Sequence, residues 1–167
     1  MDLEYIIRYN QPGDLVCRYW HQTAIGAKEL WSHILAEVAL GPEGLYLMCD
    51  LFLERSSSHQ LSLSLSILRP DDSGRGSHAL NAMETHVCRL RTLHIDDSWI
   101  GTPMLSFFLQ HAPLLEEFKM ECSPEFGKLP GVFGSSTPRL RTLDLTGCAP
   151  WRGNRFRDLS TLALGLV

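Results

Sequence analysis

One six-residue pattern recurs through the second half of the chain. Leu90-Arg-Thr-Leu93-His-Ile95, Leu115-Glu-Glu-Phe118-Lys-Met120, Leu140-Arg-Thr-Leu143-Asp-Leu145 and Leu159-Ser-Thr-Leu162-Ala-Leu164 all read apolar-x-x-apolar-x-apolar. Successive copies start 25, 25 and 19 residues apart. A period of this size belongs to chains built from stacked units, each burying its apolar face against its neighbours. It is short for doubly wound strand-helix-strand units, which need about 30 residues or more. A small open α/β sheet is the alternative.

The last three residues of each copy alternate, as a strand with one buried face does. Each strand then needs a return segment. Thr102-Pro103 supplies an N-cap and a first helical residue, Met104, Phe107 and Phe108 an apolar face, and Pro113 a stop. The return from Ser123 to Pro138 is rich in glycine and proline and is expected to be irregular. Upstream, Leu61-Ser-Leu63-Ser-Leu65-Ser-Ile67 is a strand by strict alternation. A helix opened by Pro42 precedes it, with Leu45, Met48, Cys49 and Phe52 on one face. Arg69 to His78 reads as a loop, and Leu80, Met83 and Val87 as a second helical face leading into the first matched strand. The third copy runs on to Cys148 and so resembles the consensus of leucine-rich repeats; Ser98 and Ser123 take that place in the first two copies. The expected fold is α/β: a leucine-rich-repeat-like solenoid with parallel strands over residues 41–167, preceded by short helices.

Residues 1–40 read as a partial, helical segment of another kind. Pro12 can open a helix carrying Leu15, Val16, Tyr19 and Trp20. Val16, Cys17, Arg18 and Trp20, followed by Leu30, Trp31 and Ile34, resemble the second half of an F-box. The run from Leu53-Glu54-Arg55-Ser56 into the Leu61 strand, and Pro138-Arg139-Leu140 with Leu143, Leu145 and Cys148, resemble fungal-type F-box proteins with a repeat domain. The resemblance implies a substrate-recognition subunit of a cullin-type ubiquitin ligase, or a degenerate fragment of one. A full F-box begins with a leucine-proline-x-glutamate helix that supplies much of the surface for its Skp-type adaptor. Met1 to Pro12 has no such motif, so adaptor binding is expected to be weak. A plain helical cap over the first apolar face is the alternative reading of Val16 to Ile34.

Catalytic motifs are missing: there is no H-E-x-x-H, no G-x-S-x-G and no P-loop. His94, Asp96 and Ser98 have the residue types of a triad, but lie along one strand and its exit. Asp71-Asp72 and Asp96-Asp97 lack the further oxygen ligands of a calcium loop. Arg152, Arg155 and Arg157 read as a solvated loop. The five cysteines, Cys17, Cys49, Cys88, Cys122 and Cys148, are nowhere closer than 26 residues, which excludes a zinc-type pair in sequence and leads us to expect free thiols. An enzyme, a cofactor and a metal are therefore not expected. A net charge of -4 argues against a nucleic-acid partner, and no apolar run approaches membrane-spanning length. The expected compartment is the cytoplasm or nucleus, and a repeat scaffold without a ligase role is the second functional reading.

If the strands stack as read, the residues between their apolar positions share one exposed face. These are Ser62, Ser64, Thr92, His94, Asp96, Glu117, Lys119, Glu121, Thr142, Asp144 and Thr146. Four carboxylates against one lysine make a basic protein segment the expected ligand. After Leu164 only three residues remain, so Leu162 and Leu164 are expected to lack a covering return segment.

Overall fold

A computed structural model describes residues 18–38, 44–67, 82–97, 102–122, 131–135, 137–148 and 156–165. In chain order the elements are α1 (Arg18–Gly26), β1 (His33–Val38), α2 (Gly44–Ser56), β2 (Leu61–Ile67), β3 (Leu90–Asp97), α3 (Thr102–Leu109), β4 (Glu117–Cys122), β5 (Thr142–Thr146) and β6 (Thr161–Gly165). Short 3₁₀ turns at Val87–Arg89 and Phe133–Ser135 precede β3 and β5.

All six strands are parallel, and their order across the sheet is their order in the chain. The register puts Ile34, Leu63, Leu93, Phe118 and Leu143 side by side, and Leu65, Ile95, Met120 and Leu145 in the next inward row. Every one of these is buried. Register partners along the first row stand 29, 30, 25, 25 and 19 residues apart, counting Leu162 of β6. Leu53 of α2 and Phe107 and Phe108 of α3 join the same core cluster, so those helices cover the inward face.

The outward face is polar and uncovered among the described residues. This departs from the usual all-parallel sheet, which is clothed by helices on both sides and has apolar residues on both. The cause is in the strands. Alternation of Leu with Ser in β2, and of apolar with charged residues in β3 and β4, gives each strand one face fit for a core and one fit for water.

Aromatic rings fill the space between α3 and the sheet. Phe107, Phe108, Phe118 and Phe133 meet edge to face, with centroids 5.5 to 6.5 Å apart and planes crossing at 67° to 84°. Phe133 is held at φ 53, a left-handed conformation that costs a bulky side chain energy, and its fully buried ring compensates. The end of α2 is fixed from outside itself. Arg89 donates through Nε to the His59 carbonyl at 3.1 Å, through Nη2 to the Ser56 hydroxyl at 2.6 Å, and through Nη1 to the Ser57 carbonyl.

The structure corrects the sequence at the N-terminal side. Residues 1–40 were expected to be helical, yet His33–Val38 is the first strand and pairs with β2 along its whole length. Leu30, Trp31 and Ile34 have helical spacing, but a short apolar run fits either period, and pairing with the strongly alternating β2 decides it. The helices read after Pro42 and at Thr102 are present as α2 and α3. Met83 and Val87 are buried as expected, the latter in a 3₁₀ turn. The start of the helix read from Pro12, the loop at Arg69 to His78, and Arg152 and Arg155 of the basic group lie outside the described residues, while Arg157 is described and exposed.

Candidate protein-binding face

Three lateral rows cross the open face. The register aligns His33, Ser62, Thr92, Glu117, Thr142 and Thr161; then Leu35, Ser64, His94, Lys119, Asp144 and Ala163; then Glu37, Ser66, Asp96, Glu121, Thr146 and Gly165. All nine residues read from β3, β4 and β5 as the sheet face are brought together: Thr92, His94, Asp96, Glu117, Lys119, Glu121, Thr142, Asp144 and Thr146. The alternation of each strand was enough to find them. What sequence reading missed is the extension into β1, where His33 starts the first row and Leu35, 82% exposed, starts the second. The Leu35 alternation is legible only once β1 is known to be a strand.

The charges on this face divide into a satisfied group and an unsatisfied one. Glu117 Oε1 accepts from Lys119 Nζ at 2.8 Å, and His94 Nε2 stands 3.2 Å from the same oxygen. The Lys119 hydrogen bond holds the Glu117 carboxyl below its usual range, against a smaller opposing effect of burial and with help from His94. The same bond raises Lys119, and Asp144 adds to it. By contrast, Asp96 and Glu121 are register partners on adjacent strands, and no cation among the described residues is within ion-pair distance of either. Like charges facing each other across strands destabilise the sheet. These two, with His94, Lys119, Asp144 and Thr146, border a shallow depression of about 210 Å³.

A larger groove, about 830 Å³, lies at the other end of the strands. Ser32, His33, His59, Arg91, Glu116 and Glu117 line it. Arg91 Nε donates to Glu116 at 2.9 Å, and His59 Nδ1 is buried with no partner among the described residues. The face offers hydrogen bonding and charge. His94 engages Glu117, and no group of three potential metal ligands occurs among the described residues. No helix among them is long and apolar enough to cross a membrane.

Trp20, Leu30 and Trp31 of the F-box-like motif are not gathered into one surface. Val16 and Cys17 lie outside the described residues, and Arg18 opens α1. Trp20 and Leu30 are 64% and 55% exposed. Trp31 is buried: its Nε1 donates to the Ala24 carbonyl at 2.8 Å, its ring meets Phe52 at 5.1 Å, and the Arg55 guanidinium lies 4.4 Å over it. Of the two tryptophans, Trp31 packs inward and Trp20 does not. Trp20 precedes the turn that carries Trp31 inward, and α1 leaves it outside. Searches against protein-family models, curated proteins and solved structures returned no match.

Proposed function

We propose that the chain is a protein-binding module, a leucine-rich-repeat-like solenoid that captures a basic segment of another protein on its open sheet face. The observation that carries this reading is a parallel sheet with one face left bare and largely polar among the described residues, bearing Asp96 and Glu121 in register with no described cation within ion-pair distance of either. A guanidinium or ammonium group placed between those carboxylates relieves their repulsion, and complementary charge speeds encounter. Consecutive parallel strands in chain order, with the covering helices on one side, are what a solenoid requires.

The resemblance at Val16 to Ile34 extends the proposal to the substrate-recognition role of an F-box subunit in a cullin-type ubiquitin ligase, or a degenerate fragment of one. The burial of Trp31 and the entry of His33–Val38 into the sheet favour the second reading, a repeat scaffold without a ligase role, because they commit Trp31 and Ile34 of the motif to the fold.

Labelled oligo-arginine and oligo-glutamate peptides, titrated against the full chain by fluorescence anisotropy, test the binding face. Oligo-arginine should bind, weaken as salt is raised, and lose at least about tenfold in affinity in the triple variant Asp96→Asn, Glu121→Gln, Asp144→Asn. Equal binding by both peptides, or by the variant, overturns the face. Calorimetry with a purified Skp-type adaptor separates the two readings, since tight binding would favour the ligase role.

A further inference from the structure

Cys122 closes β4, and Cys148 follows β5 by two residues. In sequence they are 26 residues apart, one register period plus one. The pairing of Glu121 with Thr146 carries β4 and β5 side by side to their ends and brings Cys122 level with Gly147. There the backbones touch. Gly147 sits at φ +78, and a Cβ on it would lie 1.9 Å from the Cys122 carbonyl oxygen, so glycine alone permits the approach. Beyond Gly147 the chain presents Cys148 to the neighbouring strand, where it packs against the same core cluster that holds Cys122. Cys122 is buried, whereas Cys148 is partly open to solvent.

We propose that Cys122 and Cys148 form a thiol-disulfide redox site that takes a small disulfide, such as glutathione disulfide, as its oxidant. Cys148 gives its proton to solvent and its thiolate attacks one sulfur of glutathione disulfide. The S–S bond of the oxidant breaks, a mixed disulfide forms on Cys148, and one glutathione leaves as a thiolate that takes up a proton. Cys122 then loses its proton, attacks the Cys148 sulfur and expels the second glutathione. Two cysteine thiols are oxidised and one glutathione disulfide is reduced to two glutathiones. The division of labour follows exposure: the accessible thiol meets the reagent and the buried one resolves. Hydrogen bonding with the Cys122 side chain also holds the Cys148 thiol below its ordinary range, against the opposing effect of burial. The bond formed would staple β4 to β5 beside Glu121 and Thr146 of the open face.

The full folded chain, incubated with glutathione disulfide and mapped by mass spectrometry, tests the site. The expected product has lost two hydrogens, retains no glutathione at this site, and joins the peptides of Cys122 and Cys148. That link should form on the order of tenfold faster in the folded chain than in urea. Cys122→Ala should stop at a glutathione adduct on Cys148, and Cys148→Ser should leave Cys122 unmodified. If these variants do not fold, the wild-type peptide map decides alone. The site is refuted by a stable adduct on Cys148 without cross-linking, by links from either cysteine to Cys17, Cys49 or Cys88 in the folded chain, or by a Cys122–Cys148 link that forms no faster folded than unfolded.

Discussion

Arg89 spends its guanidinium on the turn that ends α2, reaching the carbonyls of Ser57 and His59 and the hydroxyl of Ser56. Ser57 is in the left-handed region at φ 51, so this turn needs an external tie. Arg89→Met keeps the aliphatic stem and removes the donors. It should lower stability in urea unfolding by about 2 kcal/mol, in line with hydrogen bonds from a charged group. The neighbouring His86 sets a pH dependence. Burial first, and the Arg89 charge second, hold its pKa below the ordinary histidine value. The unfolded chain therefore binds this proton more readily than the folded one. The resulting contribution is present above the ordinary histidine pKa and is lost as the pH falls through it. Between about pH 7.5 and pH 5.5 the urea midpoint should drop less in His86→Gln than in the wild type; equal drops would place the effect elsewhere. Neither residue announces its role in sequence. Arg89 and His86 sit in an undistinguished turn, and their partners lie some 30 residues upstream or are set by burial.

At the scale of elements, legibility followed the strength of the local pattern. β2 is readable from its strict alternation, and β3 to β5 because alternation and a 25-residue register period agree. β1 was hidden because Leu30, Trp31 and Ile34 suit a helix as well as a strand, and its proper signal is a partner 29 residues away. The neighbourhood of Cys122 and Cys148 at the ends of β4 and β5 was hidden by the same cause, since a separation of about one period looks large until the strands are stacked. The inward row also shows how much a neighbour on each side matters. Leu143 is fully buried between Phe118 and Leu162, while Leu162 itself is 56% exposed. Leu143→Ala should cost about 3 kcal/mol and Leu162→Ala less than about 1 kcal/mol, although they occupy the same position of the pattern. Comparable losses would mean that β6 is covered. Phe118 ties this row to α3 through Phe108 and Phe133. Phe118→Ala should cost about 4 kcal/mol, and near-ultraviolet circular dichroism should report the loosening of the remaining rings.

For the molecule as a whole, strand order identical to chain order means that no strand pairs with one more distant than its sequence neighbour. Among the described residues, strand pairing therefore links the sheet as a chain of adjacent pairs, with no strand pairing between its ends. Such an object has a distinctive mechanical response. Pulled by its two termini, it should come apart from an end, strand by strand, and each detachment should release the residues of one register period. The spacings of 29, 30, 25, 25 and 19 residues are unequal, so the rips in a single-molecule force trace should differ in length, from roughly 100 Å for the longest to roughly 65 Å for the shortest before subtracting the folded span. The uneven loops that obscure the repeat in the sequence would then serve as a ruler, telling the observer which strand has just left the sheet.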